Sequence, residues 1–394
     1  MTLPLEGVRI IAVEQYGAGP FGTQHLADLG AEVIKVENPA EGGEIGRHVG
    51  PYYFEQGDSH FYQSFNRNKK SITLNLKDPS EKAQLIELIK SADALYDNLR
   101  GDLPEKLGLT YAQLKEHNPA LVCCHLSAYG REGARKAWPG YDYLMQAEAG
   151  YCSLTGEPGG PPARFGLSII DMMTGTTAAL ALVSALVGAR ATGVGRDVDV
   201  SLFDVAMHNI NYLGTWYLND GIKTERTPRS AHPSLTPSQL YRTQDGWMFI
   251  MCNKEKFWAV LAGLIDKPEW VIDPRYRDFK ARLANRDQLT EDLDAVLMQQ
   301  PTAYWLKHFG GQVPAAPVND VGQALDNPFA HEQGVIFSVE HPVRGTIKTL
   351  ACPIRCPGET LPNQPAPRLG AHNQSILGAL KGMESQNKKS AGVS

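Results

Sequence analysis

The chain has 394 residues, 42% of them hydrophobic and 21% charged, with a formal net charge of -5 at pH 7. That length can fill two or three hydrophobic cores, and the mild acidity excludes the strong basic bias that nucleic-acid or membrane-surface partners require. The opening MTLPLEGVRI has no basic stretch followed by an apolar one, so no secretory leader is expected. Six cysteines without paired zinc spacing read as reduced thiols of a cytoplasmic protein.

Strand and helix alternate from the start. Residues 7–14 (GVRIIAVE) predict an apolar strand, 17–30 a glycine-opened helix and 31–37 (AEVIKVE) a second strand. Residues 80–90 predict a helix with Leu85, Ile86 and Ile89 as its apolar positions, and 94–97 a short strand. A helix with a T-x-x-Q capping box follows at 110–115, then a strand at 120–127 (ALVCCHLS). Short connections and strict alternation imply right-handed crossovers and a parallel, Rossmann-like α/β sheet. The run 172–189 approaches membrane-spanning length, but Asp171, three threonines and two glycines suit a buried core helix better. RDVDVSLFDVAMHNI reads as a strand running into a helix.

Composition shifts at KTERTPRSAHPSLTPS, a linker rich in Pro, Ser, Thr and Arg. The chain therefore divides into a large domain over 1–222, a small α+β insert with its linker over 223–325, a return segment over 326–380 completing the large domain, and a flexible tail over 381–394. Within the insert QLYRTQDGWMFIMC predicts a hairpin turned at Asp245-Gly246, with helices after it; residues 335–355 alternate again as strands.

Three features bear on chemistry. Gly17-Ala18-Gly19-Pro20-Phe21-Gly22 fits G-x-G-x-x-G between a strand and a helix, with Glu37 ending the next strand. That is the signature of dinucleotide binding, and equally of a tight turn with close helix packing. NRNKK (66–70), beside an aromatic-rich loop with Tyr52, Tyr53, Phe54, Phe61 and Tyr62, is either a solvated face or a phosphate site backed by a purine surface. Asp171 heads the long apolar helix either as a cap or as a nucleophile, and the helix-end field is expected to keep it ionised in either role. No G-x-x-x-x-G-K-[ST], H-E-x-x-H or G-x-S-x-G pattern occurs, so neither ATP nor a catalytic metal is expected.

Taken together, GVRIIAVEQYGAGPFGTQHLADLGAEVIKVENP, FNRNKKSITLNLKDP, DNLRGDLPEKLGL, PGYDYLMQAEAG, GLSIIDMMTGTTAAL, GRDVDVSLFDVAM, VPAAPVNDVGQALDNP and PAPRLGAHN, in this order, resemble family III CoA-transferases. That group includes formyl-CoA transferase and carnitine CoA-transferase. The resemblance runs from near Leu5 to near Leu377. It implies a large Rossmann-like domain built from both chain ends, an inserted small α+β domain, and two ring-like monomers interlocked as a homodimer. It implies that Asp171 attacks an acyl-CoA thioester, giving an aspartyl anhydride and then an aspartyl-CoA thioester. Coenzyme A enters as part of the substrate and no cofactor is held permanently. Gln15, Gly17 and Ala18 would lie near the thioester, Tyr141 and Asp142 would line the site, and Leu74, Lys77, Asn98 and Lys106 would hold CoA. Lys106 stands where relatives often carry arginine, and Asn38 where formyl-CoA transferase has one.

For the acceptor, Arg47 and the group Arg226, Arg229 and His232 could fork onto a second carboxylate or a sulfinate, which favours a short dianion with succinyl-CoA as donor. Acyl-CoA racemases share the fold and use a G-H-D histidine. Here the context is Pro139-Gly140-Tyr141-Asp142, and a phenol with an ordinary pKa of about 10 is a poor proton shuttle near neutral pH. Two readings from other classes also stand, an NAD(P)-dependent oxidoreductase and a catalytically silent CoA-binding module.

Overall fold

The computed structural model describes residues 3–380, so the tail expected over 381–394 lies outside the described residues. Six parallel strands form the main sheet: β1 (Arg9–Val13), β2 (Glu32–Glu37), β3 (Lys70–Thr73), β4 (Ala94–Asp97), β5 (Val122–Ser127) and β6 (Arg196–Ser201). Their order is β3-β2-β1-β4-β5-β6. Ile10, Ile11, Ala12, Val33, Leu95, Val122 and Cys123 are all inaccessible to solvent, the near-continuous burial expected of strands covered on both faces. The order reverses between β1 and β4, and in open parallel sheets the crevice at the carboxyl ends of such a pair is the ligand site.

Helices α1 (Ala18–Asp28), α2 (Pro79–Ile89), α3 (Asp142–Glu148) and α4 (Ile169–Thr192) belong to this unit. Leu85, Leu88 and Ile89 of α2 share a core with Ile11, Ile34 and Ile72 of the sheet. Residues 60–66, read as part of an aromatic loop, are helical, with the Ser59 side chain accepting from the Tyr62 N–H.

Among the described residues α4 is the one helix long and apolar enough to cross a membrane by length and composition. It packs on α1, β5 and β6, and the contact with α1 is close enough to dictate residue type. A β-carbon on Gly22 would fall 2.5 Å from the Gly175 carbonyl oxygen, and one on Gly175 2.4 Å from that of Ala18. Here the glycine motif serves helix packing. Because both obstacles are backbone, Gly175→Ala is expected to force the helices apart and destabilise the protein by roughly 1–3 kcal/mol, which the midpoint of urea unfolding would register.

Clustering of contacts divides the chain into two compact units. Among the described residues the first combines 3–149, Phe165–Asn211 and 331–380, and the second Gly150–Arg164 with Tyr212–Ala330. The second unit therefore begins before the composition shift at 223 and also takes in 150–164, which are tied to it by Arg226 Nη1 donating to the carbonyls of Glu157 and Pro161. It holds a three-stranded antiparallel sheet of β7 (Ser238–Arg242), β8 (Trp247–Met251) and β9 (Ala315–Pro317). β7 and β8 form the hairpin expected at Asp245-Gly246, and Trp258, Trp305, Leu289 and Leu293 pack into this unit's core. All six cysteines are free.

Candidate active site

A cavity of about 440 Å³ opens at the carboxyl edge of the sheet. Four neighbouring strands deliver their following residues to it: Gln15 to Ala18 after β1, Asn98 to Arg100 after β4, Leu126 to Ala128 at the end of β5 and Leu202 after β6. Trp138, Gly140, Tyr141 and Asp171 complete the wall. Gln15, Gly17, Ala18, Asn98, Tyr141 and Asp171, distant in sequence, are thus brought together at the switch point.

Asp171 is only 8% exposed. It is the third residue of α4 and the acid of its first turn, while the N-cap position is Ser168, which makes no side-chain capping bond. The α4 N-terminus is instead pinned from outside. Asp142, the first residue of α3, accepts the Asp171 N–H on Oδ2 at 2.9 Å. Gln146, one turn further along α3, donates to Asp142 Oδ1 at 2.5 Å and to the Leu167 carbonyl at 3.1 Å, while its own oxygen accepts from the Phe165 N–H.

Two buried carboxyls so placed decide the electrostatics. Burial first, and the Asp142 charge second, push the Asp171 pKa up to about 7. The field of one helix end therefore does not outweigh desolvation, and the expectation of a carboxylate kept ionised by that field is corrected. Gly17 abuts the same carboxyl, since a β-carbon there would sit 2.5 Å from Asp171 Oδ2. The Gln15 N–H donates to Asn98 Oδ1 at 2.8 Å and Asn98 Nδ2 returns a bond to the Gln15 carbonyl at 2.7 Å, which locks the loops after β1 and β4 together.

Other expected residues are placed differently. Arg47 is not part of the cavity wall. It is 1% exposed, with Nε and Nη2 forked on Glu37 at 2.7 Å each, and it also donates to the Tyr62 hydroxyl and the Pro367 carbonyl. Its guanidinium is already occupied, so it offers no anchor for an acceptor, and Glu37 is correspondingly no ribose ligand. Arg229 pairs with Asp294 at 2.6 Å and the His232 ring accepts from the Ser234 and Leu235 amides, both within the second unit.

The NRNKK cluster is neither a solvated face nor a phosphate cradle. Arg67 is buried on Asp28, and Lys69 is buried 2.7 Å from Glu14. Lys35, also inaccessible, lies 3.2 Å from Glu44. Burial lowers the Lys69 pKa to about 8 against the pull of Glu14. Glu14, Glu37 and Glu44 are balanced by Lys35, Lys69 and Arg47, an assembly of paired charges beneath the Gln15 turn. Leu74 is a core residue, Lys77 is exposed, and Lys106 extends into solvent while pairing with Asp102 at 2.6 Å; none lines the cavity.

Sequence reasoning missed His125. It lies buried on β5, one residue before the wall residue Leu126, its ring nitrogens 2.6 Å from Asp97 Oδ2 and 3.0 Å from Asp197 Oδ1. Burial alone would lower its pKa, but the two carboxylates outweigh it and hold it at about 9. A lone histidine inside the otherwise apolar VCCHLS strand was the available signal.

The comparisons with known proteins agree with one another. The chain is 32% identical to succinate–glutarate CoA-transferase of Agrobacterium fabrum, over 97% of this chain and 96% of that protein. It is 36% identical to acetyl-CoA:oxalate CoA-transferase of Acetobacter aceti, covering 82% and 83%. The crystal structure of a CAIB/BAIF family protein from Brucella suis superposes with a TM-score of 0.83 at 30% identity, covering 96% of this chain and all of that one. These relatives favour neither the racemase nor the oxidoreductase. The profile of CoA-transferase family III matches residues 5–373, and with these relatives it establishes that the chain belongs to that family of enzymes.

Proposed function

We propose that the enzyme moves CoA from succinyl-CoA to a small acid, a dicarboxylate or a sulfinated acid, with Asp171 as nucleophile. The observation that carries this reading is the buried Asp171 carboxyl on the wall of a cavity at the sheet's switch point. The Asp171 carboxylate attacks the donor carbonyl, the C–S bond breaks, and CoA leaves as the thiolate from a mixed anhydride. The thiolate then attacks the aspartyl carbonyl; succinate departs and Asp171 becomes a CoA thioester. The acceptor carboxylate attacks that thioester and expels the thiolate. The thiolate next takes the acceptor's acyl group from the new anhydride, which frees Asp171.

One thioester replaces another, so the exchange balances without ATP. Water would destroy both intermediates, which gives the dry surroundings of Asp171 a purpose. The acids in the relatives' names, succinate, glutarate and oxalate, support a diacid acceptor. Gln15, Gly17, Ala18 and Tyr141 serve the acyl end, Asp142 braces Asp171, and Lys77, Asn98 and Lys106 serve CoA along a Rossmann-like large domain, with Leu74 supporting the strand end from the core. The chain works as a cytoplasmic homodimer. Leu180 and Val187 on α4 are each 67% exposed, an apolar face suited to a second copy.

Succinyl-CoA and glutarate are the test. Glutaryl-CoA and succinate are expected in equal amounts, with no change in nicotinamide absorbance. Plain hydrolysis of the donor, with no glutaryl-CoA formed, would replace this reading.

A further inference from the structure

The turn between β1 and α1 carries an outlier. Tyr16 sits at φ 66°, a left-handed backbone that a bulky side chain enters only under external constraint. The constraint is a single buried carboxylate. Glu44 Oε2 accepts from the Tyr16 N–H at 2.8 Å and from the Gly46 N–H at 2.9 Å, while Oε1 lies 3.2 Å from Lys35 Nζ and 3.3 Å from Asn66 Nδ2. The paired charges beneath the turn therefore hold Tyr16 in place. Its ring is 5.2 Å from that of Phe61 and 6.1 Å, edge-on, from that of Tyr141, and it lines the cavity with Asp171.

A backbone strained in this way beside a nucleophile calls for a use. A diacid whose first carboxylate meets Asp171 brings a second carboxylate into the same cavity, and the cationic anchors are taken. Among the described residues lining the cavity, Arg100 is the one guanidinium, and it is forked onto Asp102 at 2.5 and 3.0 Å. The neutral donors on the wall then include the Tyr16 phenol, the one whose backbone is held in place from beneath by Glu44. Burial, followed by the charge of Asp171, raises the Tyr16 pKa, so the hydroxyl keeps its proton.

We propose that Tyr16 is a specificity-determining residue whose hydroxyl donates a hydrogen bond to the second carboxylate of a dicarboxylic substrate held at Asp171. The assignment rests on the transferase reading above and extends it to the group that separates diacids from monocarboxylates. A hydrogen bond to a charged group of this kind corresponds to about a tenfold or larger effect on binding.

The experiment compares Tyr16→Phe with the wild type, using acetyl-CoA as a donor without a second carboxylate and glutarate or valerate as acceptor. Where turnover of valerate is too slow to follow, its inhibition constant against glutarate replaces its KM. Tyr16→Phe keeps the ring and its packing, so its KM for glutarate is expected to rise about tenfold or more, with the valerate constant and the melting temperature unchanged. Tyr16→Gly, which adopts φ 66° freely, is expected to lose the same discrimination and carries the test if Tyr16→Phe misfolds. Equal changes for both acids, or none for either, would overturn the assignment. A wild-type enzyme that passes CoA to neither acid, from acetyl-CoA or from succinyl-CoA, would instead bring down the transferase reading, and this one with it.

Discussion

Asp171→Ala is expected to reduce CoA transfer by at least about 10⁴-fold, because it removes the atom that forms both covalent intermediates. Wild-type enzyme incubated with succinyl-CoA and quenched with hydroxylamine or borohydride should carry its modification on the peptide containing Asp171, and the variant should carry none. Stability should move the other way, and its pH dependence separates a failed nucleophile from a failed fold. The Asp171 pKa is raised on folding from an ordinary 3.8 to about 7. Its contribution is therefore most favourable below pH 4 and is lost as pH rises through 7, where the buried group must ionise. Asp171→Ala is thus expected to be more stable than the wild type at pH 8 by roughly 2–4 kcal/mol, with the difference vanishing near pH 4. Thioester exchange at the wild-type rate in the variant would end the case for Asp171 as nucleophile.

The parts legible in the sequence are those where a single segment decides its own fate. Apolar runs such as RIIAV and VCCHLS can only be buried strands, and the glycines at 17, 19 and 22 announce a close approach whatever approaches. Asp171 was legible because a carboxylate in an apolar helix is costly and needs a reason. Burial and partners of charged residues were not legible, since they depend on what the fold brings opposite. Arg47 reads as a free cation in EIGRHVGP, yet Glu37, ten residues earlier, holds it. NRNKK reads as a basic patch, yet Arg67 and Lys69 meet Asp28 and Glu14, some forty and fifty-five positions earlier in the chain. Tyr16 gives no sign of its left-handed backbone, because the strain comes from Glu44 and not from its neighbours. Asp142 was placed at the site only by resemblance; its bond to the Asp171 amide depends on α3 meeting α4.

That bond leads to the second large effect. Between pH 5 and 7 the wild-type kcat/KM is expected to rise nearly tenfold per unit and then level off, following ionisation of Asp171 with a midpoint near 7. Desolvation is the larger cause of the raised pKa and the Asp142 charge the smaller. Asp142→Asn removes the second, and its amide oxygen can still accept the Asp171 N–H, at the cost of the bond from Gln146 Nε2, which then meets the new amide NH2. The midpoint should move toward acid by a unit or less, on the order of 1 kcal/mol, and remain above 3.8 because burial persists. At about pH 5.5 the variant is then expected to equal or outperform the wild type. At about pH 8, where both are ionised, it should be slower, because a less basic carboxylate is the weaker nucleophile. A plain loss at every pH with the midpoint unmoved would mean that Asp142 acts only through the fold. A midpoint that falls to about 4, the ordinary aspartate value, would mean that charge, not burial, sets the proton affinity of Asp171.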